Sequence, residues 1–225
     1  MDEQLLNLFD LFTDRIFRIP GYQKGYVWTE KEVGGFWNDL MRLNAFYRHS
    51  VGALKIEPVP EKTYRAWNDD LWLIESKGYT PYYVVDGLQR LITSVLLVKA
   101  ITNVMKKKNI SRLNDASAAD ISRKFIAEKR GENEPSAYLF GFDADNPCHQ
   151  YLAKKVFDDS ENDLTSLQET TYTANLSNAV AFFEDKMEAL SDAELADVYD
   201  RITQRFLFKT YEVSSEVGDY RKGCH

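Results

Sequence analysis

Residues 81–107 constrain the fold of this chain more than any other stretch. Residues 81–85 (PYYVV) are aromatic and β-branched, the composition of a strand. Asp86-Gly87 ends it as a tight turn. Residues 88–107 then place Leu91, Ile92, Val95, Leu96, Leu97, Val98, Ile101 and Val104 on most sides of one helix. A helix that is apolar nearly all round is buried, so this one is expected at the centre of the core. Lys106, Lys107 and Lys108 close it. Cations suit a helix C-terminus, and that reading is preferred to nucleic-acid binding. The longest strongly apolar stretch, residues 91–98, contains Thr93 and Ser94, so no membrane span is expected. The N-terminus has no basic region before an apolar one, so no secretory signal is read and a cytoplasmic location is expected.

Other segments carry weaker signals. Residues 5–12 read as a short helix and residues 15–19 as a short strand stopped by Pro20-Gly21. Residues 22–28 form a loop dense in aromatics. Thr29 with Glu32 fits a capping box, which starts a helix over residues 30–48. Residues 50–57 read as a strand, and residues 58–80 as a polar surface excursion held down by Trp67, Leu71 and Trp72. Residues 111–130 read as a polar helix, 138–142 as a strand, and 147–157 as a helix with Pro147 in its first turn. Residues 158–168 form an acidic loop before a helix over 171–190. Ser191 with Glu194 starts another helix to about Thr203, residues 205–213 alternate as a strand, and a polar tail runs from 214 to 225. Strands precede mostly helices, which predicts an α+β class with a small mixed-sheet domain over 1–110 and a mainly helical region over 111–225.

Composition narrows the function classes. A chain of 225 residues buries enough surface to need no disulfide or structural metal. With Lys+Arg 28 against Asp+Glu 35, the net charge of −7 repels a polyanion and argues against a DNA-coating protein. Cys148 and Cys224 lack metal-ligand spacing and read as free thiols. His49, His149 and His225 form no HxH or HExxH pattern.

Two segments carry chemistry. At the strand-to-helix junction the opening amides of the helix lack internal partners and face a positive dipole end, which favours phosphate. Arg90 adds a bidentate cation there. Asp86 is a candidate to hold a metal ion, to accept from a ribose or nucleophile, or only to cap the helix. Gln89 is a candidate to orient a water or a base, and Gly87 and Thr93 lie in the same phosphate-binding turn. No GxxxxGK[ST] or GxGxxG is present. The second segment, residues 19–28, offers Tyr22, Tyr26 and Trp28 for stacking, with Gln23 and Lys24 for base edges or phosphate. A packed loop with Lys24 in water is the alternative.

Taken in order, Ile19-Pro-x-Tyr-Gln-Lys-x-Tyr-x-Trp28, Phe36-Trp37-x-Asp39-Leu40, Val51-Gly52-Ala53 and Val85-Asp86-Gly87-x-Gln89-Arg90-Leu91 resemble the N-terminal domain of GmrSD-type modification-dependent restriction enzymes. The resemblance covers about residues 5–105. It implies a ParB/sulfiredoxin-like fold. It also implies binding and hydrolysis of a nucleoside triphosphate (GTP, ATP or CTP) with Mg²⁺, in which Asp86, Gly87, Gln89 and Arg90 match the family's Asp-Gly-Gln-Gln-Arg motif. Asp86 would bind Mg²⁺ or position water. Tyr22, Gln23 and Lys24 match a Tyr-Gln-Arg loop beside the same pocket or facing modified DNA, with Tyr26 and Trp28 as its wall. Leu88 stands at the motif's first Gln, and Lys24 at the loop's Arg.

Family members continue into an HNH-type nuclease domain, which this sequence does not match. Scattered histidines leave no metal-dependent phosphodiesterase site, so DNA cleavage by this chain alone is not expected. The expected partners are a nucleotide, modified DNA, and a nuclease domain or subunit outside this chain. The leading expectation is a nucleotide-binding, NTP-hydrolysing regulatory domain of a phage-defence protein. A non-enzymatic DNA-sensing module and an inactive truncated remnant are the alternatives.

Overall fold

The computed structural model describes residues 3–43, 49–131, 134–158, 167 and 169–213. Its centre is a mixed six-stranded sheet in the order β1-β8-β3-β4-β2-β7. The first elements are β1 (Glu3–Asn7), α1 (Leu8–Leu11) and β2 (Arg15–Ile19). They are followed by α2 (Glu30–Met41), β3 (His49–Pro58), the short helices α3 (Glu61–Tyr64) and α4 (Leu71–Lys77), then β4 (Thr80–Asp86) and α5 (Leu88–Lys107). Beyond these lie α6 (Ala118–Phe125), the strands β5 (Ala127–Lys129), β6 (Ser136–Tyr138) and β7 (Phe140–Phe142), and helix α7 (Cys148–Tyr151). A π-helical turn over Leu152–Phe157 precedes α8 (Thr171–Glu188) and α9 (Asp192–Asp200), and a second over Arg201–Arg205 leads into β8 (Phe206–Glu212). The chain is an α+β domain, as its pattern predicts.

Helix α5 is the core element that its composition requires. Leu91, Ile92, Val95, Leu96, Leu97, Val98 and Ile101 are completely buried, and the helix packs along α6 and α8. It is long and apolar enough to cross a membrane by length and mean hydropathy (1.3), yet 78% of that window is buried against protein. Its apolar surface is spent inside the core.

Several expectations need correction. Residues 5–12 are not one helix, because residues 3–7 pair antiparallel with β8. A helix of eight residues has too few internal bonds to compete with an available sheet edge. Only α1 remains helical, with the Asn7 side chain accepting the Asp10 N–H at 2.7 Å. Helix α2 ends at Met41 rather than running to 48; residues 44–48 lie outside the described residues. Its stop is tertiary: Arg201, 160 residues on, donates to the carbonyls of Leu40 and Met41.

The polar helix expected over 111–130 is only α6, started by a Ser117/Asp120 capping box. Asn114 and Asp115 sit at positive φ before it, which breaks a helix there. The strand expected over 138–142 splits at the buried Leu139: β6 pairs with β5, whereas β7 pairs with β2. Over 147–157 the helix exists, but its second half takes the wider π-helical turn. Of the acidic loop over 158–168, only 158 and 167 lie within the described residues, and the tail 214–225 lies outside them.

The boundary expected at residue 110 is crossed by the sheet. Strands β7 and β8 come from beyond it, and β8 lies between β1 and β3. The excursion over residues 58–80 is anchored more deeply than three hydrophobics suggest. Asp70 forms an ion pair with the buried Arg18 and accepts the Tyr138 N–H at 3.0 Å. Arg18 also lies 5.0 Å from the centroid of the Trp67 ring.

Candidate functional site

Strands β2, β4 and β7 are mutually parallel. Their carboxyl ends therefore open on one edge of the sheet, the place where parallel sheets carry ligand sites. The loops that leave them begin at Pro20, Gly87 and Asp143. The Asp143 N–H donates to the Ile19 carbonyl at 2.9 Å, which ties two of these loops together.

The β4–α5 junction has the geometry expected of an anion site. Gly87 takes φ +83° at the helix start. A Cβ there would lie 2.4 Å from the Ala53 carbonyl oxygen of β3, so glycine is required by both conformation and space. The first internal bond of α5 runs from Leu91 N–H to the Gly87 carbonyl at 3.3 Å, and the amides of Leu88, Gln89 and Arg90 precede it. The Asp86 carboxylate accepts the Gly87 N–H at 2.8 Å and stays exposed. Arg90 is also exposed and crosses Gly52, where a Cβ would lie 3.0 Å from its guanidinium.

Gln23, Trp28, Asp86, Gly87, Gln89 and Arg90, all read as site residues from sequence, line one depression of about 280 Å³ together with Val85 and Leu88. Their roles within it differ from those the side chains suggest. The Gln89 amide is spent on the aromatic loop: its oxygen accepts the Val27 N–H at 3.0 Å and its nitrogen donates to the Gly25 carbonyl at 3.2 Å. Gln23 likewise donates to the Val85 carbonyl at 2.9 Å. These two glutamines hold the loop against the helix start.

Tyr26 and Thr93 are not pocket residues. Both are fully buried, and their hydroxyls share a 2.7 Å hydrogen bond. Thr93 donates onward to the Gln89 carbonyl at 2.7 Å, so Tyr26 is the donor between them. Burial pushes the Tyr26 hydroxyl well above the usual phenol range, which keeps it protonated. Tyr22 (55% exposed) and Lys24 face solvent on the loop outside the depression.

Residues far along the chain complete this end of the sheet. Asn146 donates to the Gln23 carbonyl at 3.4 Å, and Asn175 of α8 donates to the Tyr26 carbonyl at 3.2 Å. The backbone at Gly21 lies so close to Asp145 that a Cβ would meet its carboxylate at 2.4 Å. Tyr83 hydrogen-bonds to Asp143. The sequence signal for Asp143, Asp145 and Asn146 was their position just after a strand, in the gap between residues 142 and 147. Among the described residues no group of three or more His, Cys, Asp or Glu is placed to hold a metal ion. A lone carboxylate such as Asp86 could be one ligand of a Mg²⁺ ion that arrives with phosphates and keeps several waters.

Asp143 gives a pH prediction. Burial raises its carboxyl above the usual value, opposed by the Tyr83 hydrogen bond and reinforced by the Asp145 charge. An acid with a higher pKa folded than unfolded contributes stability below its unfolded pKa, which is lost as pH rises through the folded one. Asp143→Asn is therefore expected to be more stable than wild type at pH 7, with the margin shrinking as the pH falls from 7 towards the ordinary Asp value of about 3.9 and the carboxyl protonates. Denaturant titrations at both ends of that range test it, and a margin independent of pH would contradict it.

The chain is thus an α+β domain whose parallel-strand ends carry an exposed cation, Arg90, beside the opening amides of α5. The family model described as GmrSD restriction endonuclease, N-terminal domain, matches residues 5–221, almost the whole chain. The chain belongs to that family. A comparison with curated proteins returns no match.

Proposed function

We propose that this domain binds a nucleoside triphosphate with Mg²⁺ at the β4–α5 junction as the regulatory part of a restriction system acting on modified DNA. The observation that carries the reading is the junction itself. Three amides that precede the first helical bond, the positive end of the buried α5, and the exposed Arg90 converge on one depression beside Asp86. Asp86 is the residue present to meet a Mg²⁺ ion bridging the phosphates. The parallel-strand arrangement is in keeping with the ParB/sulfiredoxin-like likeness of the sequence.

Binding is favoured over turnover by this chain alone, because the Gln89 amide is occupied in holding the loop. A water-positioning role would have to break those bonds. The exposed tip formed by Tyr22, Lys24 and Val27 favours contact with DNA from the same loop. A nuclease domain or subunit is the partner that would act on that contact.

The test is a thermal-shift titration with GTP, ATP and CTP in the presence of Mg²⁺, on wild type and Arg90→Ala. At 100 times the dissociation constant, binding adds about 2.7 kcal/mol. For a chain of this size that raises the melting temperature by roughly 5 to 10 °C. Arg90→Ala is expected to lose most of the shift without changing the melting temperature of the free protein. A full shift in the variant would move the phosphates elsewhere, and no shift in either protein would remove the nucleotide reading.

A further inference from the structure

The depression at the β4–α5 junction, about 280 Å³, lies just below the range typical of small-molecule pockets, roughly 300 Å³ and upward. It suits phosphates better than a whole nucleotide. Trp28 lines it on one side, and the same Trp28 lines a second, larger groove of about 500 Å³. The far wall of that groove is α8, which contributes Asn175, Asn178, Phe182 and Asp185.

These four positions recur at i, i+3, i+7 and i+10, so they form one stripe along a helix face about 15 Å long. An adjoining face of α8 is in the core through Leu176, Phe183 and Met187, and the buried Ala179 lies between the two and also lines the groove. The stripe is registered to the phosphate site. Asn175 hydrogen-bonds to the Tyr26 carbonyl, in the loop that Gln89 ties to the α5 start. Trp28 is itself held edge-on by Phe36 at 6.2 Å between ring centroids. The groove thus combines two aromatic side chains with amide and carboxylate groups, the chemistry that stacks a flat heteroaromatic ring and reads its polar edge.

We propose that this groove between Trp28 and α8 is the nucleobase subsite of the nucleotide whose phosphates lie at the α5 start. The inference rests on the nucleotide reading given above. Trp28 and Phe182 supply the apolar contact with the base, and Asn178 and Asp185 bond to its edge. The ribose passes Trp28 between the two cavities.

Inorganic tripolyphosphate separates this inference from the reading beneath it. Affinities of tripolyphosphate, ATP and GTP, each with Mg²⁺, are measured by calorimetry on wild type, Arg90→Ala, Asn178→Ala/Asp185→Asn and Phe182→Leu. Asn178 and Asp185 are exposed, so their variant is expected to melt with wild type. Wild type should bind at least one nucleotide about tenfold or more tightly than tripolyphosphate, the scale of one stacked and bonded base. The α8 variants should lose most of that advantage and keep the tripolyphosphate affinity, whereas Arg90→Ala should weaken all ligands. Tripolyphosphate binding as tightly as the nucleotides, or an advantage that survives the α8 substitutions, would overturn the base subsite and leave the phosphate site standing. No binding of any ligand would overturn both.

Discussion

Gly87→Ala is expected to destabilise the domain by about 3 kcal/mol or more and to abolish the nucleotide binding proposed above. Two effects add at this position. The φ of +83° is strained for any side chain, and the new methyl would press on the Ala53 carbonyl at 2.4 Å. Relief requires β3 and β4 to separate or the start of α5 to swing, and either motion removes the amides from the depression. The melting temperature should fall by roughly 6 to 12 °C. Gly78→Ala is the internal control. Gly78 also has a positive φ, +76°, but a Cβ there meets nothing within 4 Å. That variant should cost only about 1 kcal/mol, the conformational part. Equal melting temperatures for the two variants would show that close backbone approach is not what requires glycine at the junction.

The second large effect lies beneath the site. Asp70→Ala should cost about 3 to 5 kcal/mol, because it leaves the Arg18 guanidinium, only 4% exposed, without its counter-charge. Arg18 keeps its bonds to the Phe17 and Tyr138 carbonyls, and these do not neutralise it. The Tyr138 N–H also loses its acceptor. Arg18 belongs to β2, the strand between β4 and β7, so loss of this pair loosens the edge from which the aromatic loop departs. The double variant Arg18→Met/Asp70→Leu should recover a large part of the loss, since removing both charges leaves no buried ion unpaired. If Asp70→Ala alone melts within a degree or two of wild type, the pair does not stabilise the fold.

How much was readable in the sequence depended on how local the determinant was. Helix α5 begins and ends where its pattern places it, at Leu88 and Lys107, because a turn glycine, an all-round apolar run and a closing lysine cluster are contained in the segment itself. The capping boxes at Thr29 and Ser191 were legible for the same reason. Where an end was set by another part of the chain, the reading ran long, as at α2, whose last carbonyls are taken by Arg201. The site followed the same division. Asp86, Gly87, Gln89 and Arg90 are contiguous in sequence and share one turn, and they do line one depression. Residue type did not reveal what each side chain does there: Tyr26 and Gln89 look alike as candidates to Trp28 and Arg90, yet Tyr26 is buried and the Gln89 amide is bonded to the loop.

The sequence by itself determined an α+β domain built on a buried helix, the strand–glycine–helix junction at its start, and membership of a restriction-endonuclease N-terminal family. Tertiary structure decided which loops meet that junction. Because β2, β4 and β7 run parallel, polar groups from residues 20–28, 86–90 and 143–146 share one sheet edge, and α8 is drawn against them by Asn175. Pairing direction and long-range packing depend on contacts between segments more than fifty residues apart, and no local periodicity encodes them.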